Sequence, residues 1–157
     1  MFRRIFPKQI DNNYQGYKTA ILVLGVVALA KTIQGIETVI NTRNVLANAD
    51  GIVLDSFSPS GAAMVIALFA LLGLNGLVLP LQSLIVLIRY RAMIPLMFLL
   101  FLTLQVAGRV VLLLNPIERS TAVPIGFVVN LAILMITLIG FALSVSSPRA
   151  TGRSSTD

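Results

Sequence analysis

Apolar residues in this chain do not alternate with polar ones. They gather into four long runs with short polar breaks between them. The runs extend from about Thr19 to Ile40, Ala62 to Ile88, Ala92 to Leu114 and Val123 to Val145. Each reaches the roughly 20 residues that an α-helix needs to cross the hydrocarbon core of a bilayer. The missing strand period argues against a membrane β-barrel, and the missing internal repeat against a solenoid. The pattern predicts an all-α fold, a four-helix transmembrane bundle. It divides the chain into an amino-terminal segment 1–18, a transmembrane domain 19–145 with an outer loop 41–61, and a tail 146–157. The tail is rich in Ser, Thr and Arg and is expected to be disordered.

Helix punctuation agrees with these cuts. Ser58-Pro59-Ser60-Gly61 offers capping hydroxyls before the second run. Pro95 and Pro124 stand at the starts of the third and fourth, where a missing N–H costs nothing. Pro80 lies inside the second run, after Gly73 and Gly76, and predicts a local bend there. The outer loop mixes Val45, Leu46, Ile52, Val53 and Leu54 with Asn48, Asp50 and Gly51. It reads as a short interfacial helix followed by a turn at Asp50-Gly51.

Composition turns the pattern into a membrane assignment. The 157 residues are 57% hydrophobic and 11% charged, against about 25% charged in a soluble domain. Cys, His and Trp are absent. That excludes thiolate chemistry and removes the commonest general base and metal ligand. The net charge of +6 would suggest nucleic acid in a soluble protein, but its placement follows the positive-inside rule. With the amino terminus in the cytoplasm, the inner segments hold Arg3, Arg4, Lys8, Lys18, Arg89, Arg91, Arg149 and Arg153. The outer segments hold only Arg43 and Arg119. Both termini are therefore expected in the cytoplasm, and the location is a multi-pass protein of a bacterial inner membrane. Ala28-Leu29-Ala30 has the spacing of a signal-peptidase site. The helical pattern continues past it, which favours an uncleaved first span.

Polar residues inside the runs form the candidate site. On the first helix Lys31, Gln34, Glu37, Thr38 and Asn41 share one arc, opposite Ile33, Ile36, Val39 and Ile40. Such an arc should face a protein interior or a water-filled cavity. The competing reading is a span shifted toward Gly16, with Lys31 snorkelling to the outer surface. The other helices offer Asn75 and Gln82, Gln105 and Arg109, and a stripe of Gly126, Asn130, Thr137, Gly140 and Ser144. The stripe has the small and polar composition of a helix–helix contact in lipid. Glu37 and Arg109 both fall about 9–10 Å outward from the middle of their spans. They are expected to pair, within a layer of Lys31, Gln34, Glu37, Asn75, Gln105, Arg109 and Asn130.

An enzyme is not expected. One intramembrane acid, without His or Cys, assembles neither an acid–base pair nor a metal cage, and no cofactor motif is visible. Two functions remain. The first is a structural or accessory subunit of a larger membrane complex, with the layer fixing helix register. The alternative is an oligomeric transporter or conduit for a small solute or protons, using the layer around Lys31, Glu37 and Arg109. The expected partners are the lipid bilayer and either further copies of the chain or a larger complex, with no nucleic acid. The run Leu87-Ile88-Arg89-Tyr90-Arg91-Ala92-Met93-Ile94-Pro95-Leu96-Met97 resembles the junction between the second and third helices of small four-helix bacterial membrane proteins of unassigned function. The resemblance implies that layout and no activity.

A reporter fused after Asp157 is expected to be active only on the cytoplasmic side, because eight of ten loop and terminal cations lie there in this orientation. Activity on the opposite side would require an odd number of spans or a reversed bundle.

Overall fold

The computed structural model describes residues 5–7, 9–117, 119 and 123–146. The expected disordered tail lies outside them apart from Ser146, as do Arg3, Arg4, Lys8, Arg149 and Arg153 of the charge count. Among the described residues the fold is helical with no strand. Four helices are long and apolar enough to cross a membrane. They are α1 (Lys18–Ile40), α2 (Pro59–Arg89), α3 (Ile94–Leu114) and α4 (Ile125–Val145).

Local chemistry sets the ends. The Ser58 hydroxyl accepts from the Gly61 N–H at 3.2 Å, and Pro59 occupies the first turn, so α2 begins slightly ahead of the apolar run. The Pro124 carbonyl starts α4 by accepting from Phe127 and Val128. Helix α2 passes through Pro80 without a break. Proline has no N–H, so the Gly76 carbonyl loses its usual donor one turn later. Serine and threonine hydroxyls in the spans mostly bond within their own helix. Thr38 donates to Gln34 O, Ser83 to Leu79 O and Thr137 to Ile133 O. Packing in the bundle therefore rests on shape more than on hydrogen bonds between helices.

The helices form an open ring in the order α2, α1, α4, α3. Helices α1 and α2 meet along their length, with Gly35 over Leu77 and Gly73 against Thr38 and Val39. Across α1, the small stripe of α4 admits its neighbours closely. A Cβ on Gly140 would run into the Phe98 ring and Val23. Helices α2 and α3 are joined by a turn at Tyr90 and a 3-10 turn, Arg91–Met93. The apolar core sits at this turn end. It consists of Ala20, Leu24, Val27, Val86, Ile94, Met97, Phe98, Phe101 and Ile133.

The amino-terminal segment covers the turn end. Asp11 O accepts from Ala92 N at 3.2 Å, and Tyr17 N donates to Leu143 O at 3.3 Å. Tyr14 packs against the core there, and burial pushes its phenol up to about 12. The opposite end carries the long loop. A turn of α-helix, Thr42–Asn44, runs into a π-helical turn, Val45–Ala49, with Thr42 and Leu46 buried. Gly51 then takes a positive φ of 69°, and Ile52 N returns to Leu46 O at 2.9 Å. The turn expected at Asp50-Gly51 is present.

Two glycine substitutions should separate the packed end from the open one. Gly140→Ala is expected to lower stability by about 1–3 kcal/mol through overpacking against Phe98. A Cβ on Gly108 would meet no atom within 4 Å, so that position should accept alanine at no cost and gain up to about 1 kcal/mol of helix propensity. Thermal unfolding of the two variants in detergent checks both.

Candidate functional site: a cationic cavity at the loop end

The buried face of α1 runs through Ala20, Leu24, Val27, Ala28 and Gly35. Lys31 lies three residues after Ala28 and four before Gly35, so helical geometry places it on the same face. Its ammonium donates to Gln34 Oε1 at 3.0 Å and to Asn130 Oδ1 on α4 at 2.6 Å. Asn130 in turn donates from Nδ2 to Gly126 O at 2.9 Å, which turns its carbonyl oxygen toward the lysine. A second hydrogen bond between helices lies nearby, from Gln105 Nε2 on α3 to Thr137 Oγ1 on α4 at 3.3 Å. The Thr137 hydroxyl is already donating to Ile133 O at 2.6 Å, so it can only accept from Gln105. Gln105 Oε1 is left buried without a donor among the described residues.

Lys31, Gln105 and Asn130 line a cavity of about 830 Å³ between the helices at the loop end. Small-molecule sites occupy about 300–1,000 Å³. Its walls are apolar, from Leu79 and Pro80 on α2, Phe101 and Leu104 on α3, and Leu131 and Leu134 on α4. Among the described residues three cations, Lys31, Arg109 and Arg119, line it against a single carboxylate, Asp50. The Arg109 guanidinium lies 5.7 Å from the centroid of the Phe127 ring, within cation–π range. Its Nε is buried without an acceptor among the described residues. Asp50 lies against the first turn of α4, where a Cβ on Gly126 would come within 2.9 Å of its Oδ1. Burial pushes the Asp50 carboxyl above its ordinary value, and the Arg119 charge pulls it partly back.

The polar layer read from the sequence is thus divided. Lys31, Gln105, Arg109 and Asn130 line the cavity, and Gln34 supports Lys31 from the same helix. Asn75 is exposed on the outside of α2 and donates to Leu71 O of its own helix at 3.1 Å. Glu37 is exposed as well, and among the described residues its carboxylate engages no side chain. The expected Glu37–Arg109 pair is not formed. The reason is angular. The buried face of α1 centres on Lys31, and six further residues along the helix carry Glu37 about 120° away, past the edge of that face. Sequence reasoning missed Asp50, Arg119 and Phe127. Their one signal is the Asp50-Gly51 turn, which folds the loop back but does not say over which helix.

Because Glu37 and Arg109 point to different surroundings, their effects should be independent. Glu37→Gln and Arg109→Gln, alone and combined, are expected to add within about 0.5 kcal/mol in a double-mutant cycle read by unfolding in detergent. A larger coupling would mean that the two side chains meet. No protein family, curated protein or solved structure matches this chain.

Proposed function

We propose that this is a small multi-pass protein of a bacterial inner membrane, with both termini in the cytoplasm, that holds a small solute in its loop-end cavity. The cavity then opens in the outer half of the bilayer. The observation that carries this reading is the unmet hydrogen bonding around the space. A polar layer that only set helix register would pair its charges and close around them, since an unpaired charge at that depth is costly. Here Arg109 Nε and Gln105 Oε1 are buried with no partner among the described residues, beside about 830 Å³ of volume. The chemistry available is binding. Asp50 is the sole described carboxylate lining the space, and the chain has no imidazole or thiol to serve as a base or nucleophile.

One observation favours a second reading, the accessory subunit. Helix α2 buries only Gly73, Pro80, Ser83 and Val86, and leaves Leu68, Leu71, Leu72 and Leu74 exposed to lipid or to a partner chain.

The test is native mass spectrometry of the full chain taken from its own membrane in mild detergent. A small molecule retained in stoichiometric amount by the wild type, and lost from Gly108→Leu, is the expected result. That substitution places a side chain in the cavity from a position with open space around it. An empty cavity in a chain that copurifies at fixed ratio with larger subunits would favour the accessory role instead.

A further inference from the structure

The cavity has a polar end and an apolar body, and its unpaired groups describe what is missing. Lys31 gives two of its three donors to neutral amides, those of Gln34 and Asn130. Arg109 rests on Phe127 with Nε buried and unpaired among the described residues. The one described carboxylate of the lining, Asp50, lies against the first turn of α4. An anion would therefore offset charge on Lys31 and Arg109 that no described side chain offsets. Gln105 Oε1 asks for the opposite, a hydrogen-bond donor, because Thr137 obliges the amide to present its nitrogen elsewhere. A head group that meets both demands carries negative oxygens and a hydroxyl together.

The remaining surface is hydrocarbon. Leu79, Leu104, Leu131 and Leu134 offer a wall for an apolar chain, in a volume suited to one chain of ordinary ligand size. Access is lateral. Helices α2 and α3 bound the gap in the ring, and Gly76 and Gly108, one on each, both line the cavity with open space above them. A ligand already dissolved in the bilayer can enter there without crossing water.

The geometry points to a single-chain phospholipid, with a phosphate head and a free hydroxyl, as the occupant of this cavity. The phosphate accepts from Lys31 and Arg109, a rotation of the Gln105 side chain brings its buried Oε1 to the cavity wall where the hydroxyl donates to it, and the chain lies between α2 and α3. This rests on the reading of the cavity as a ligand site, and it names the ligand class that the site selects.

The test uses the full-length protein in a nonionic detergent with four probes. Palmitoyl-lysophosphatidate carries chain, phosphate and hydroxyl. Palmitate carries chain and carboxylate, monopalmitoylglycerol chain and hydroxyl without charge, and glycerol 3-phosphate the head without the chain. Titration by native mass spectrometry, with thermal shift alongside, is expected to rank lysophosphatidate first. Arg109→Gln and Lys31→Gln should each weaken it about tenfold to a hundredfold, the range for losing a hydrogen bond to a charged group. Arg91→Gln, at the turn end, should leave it unchanged. Gln105→Leu should weaken lysophosphatidate and spare palmitate. Should Lys31→Gln fail to fold, Arg109→Gln carries the test, because its Nε has no described internal partner to lose.

Equal binding of monopalmitoylglycerol, or indifference to both charge variants, would overturn the assignment. Glycerol 3-phosphate binding as tightly as the lipid would overturn it while leaving a water-soluble solute in the cavity. Failure of all four probes, with a native molecule still lost from Gly108→Leu, would overturn the ligand class and leave the solute-binding reading standing. Failure of both would remove the two together.

Discussion

A lysine at the centre of a buried helix face must be satisfied from inside the protein, and much of the loop-end architecture follows from how Lys31 is met. The side chain is partly buried and opens onto the cavity. Gln34 supplies one acceptor from the next turn, and Asn130 a second from α4. The second bond ties α4 to α1 at a fixed height, with the Asn130 amide oriented by its own helix. Both acceptors are neutral, so they leave the positive charge uncompensated. That is tolerable where the space beside it is open, and it accounts for a bundle that is packed at one end and hollow at the other.

Glycine placement produces that difference. Where glycine sits beneath a neighbour, as Gly35, Gly73 and Gly140 do, it lets two helices approach to within side-chain contact. Where glycine has no neighbour, as at Gly76 and Gly108, the missing side chain is volume left to the cavity. At the turn end, Phe98 and Phe101 fill the space between helices, and the short connection through Tyr90 keeps α2 and α3 together. Toward the loop end no comparable aromatic residue among those described bridges α2 and α3. Phe127 instead lies near the Arg109 guanidinium, within cation–π range, while the guanidinium Nε is buried with no acceptor among the described residues.

The loop contributes through one residue. Its buried anchors, Thr42, Leu46 and Leu54, and the positive φ of Gly51 turn the chain so that Asp50 meets the start of α4. This supplies a carboxylate that none of the helices brings to the cavity. It also explains why the local charge remains positive, since Asp50 stands with Arg119, an added cation from the other loop. A proton relay would need a chain of titrating groups across the bilayer, and among the described residues the cavity is lined by Lys31, Asp50, Arg109 and Arg119 as its charged groups.

Four apolar runs of membrane-spanning length, with Ser58-Pro59, Pro95 and Pro124 as punctuation, were legible without coordinates because helix length and capping are local properties. So was the grouping of Lys31, Gln105, Arg109 and Asn130, since polar residues in a long apolar run have few places to go. The small stripe on α4 likewise announced a packing surface, and Thr137, Gly140 and Ser144 are buried there. What periodicity left undecided was where, within a polar arc some 120° wide, the buried face would fall. Lys31 and Glu37 lie at opposite edges of that arc, and only the packing of α1 between α2 and α4 put the lysine inside and the glutamate outside. The same holds for Asp50, Arg119 and Phe127. Their arrival at one cavity depends on how two loops return across the bundle, and loop paths are set by contacts far apart in sequence rather than by any local period.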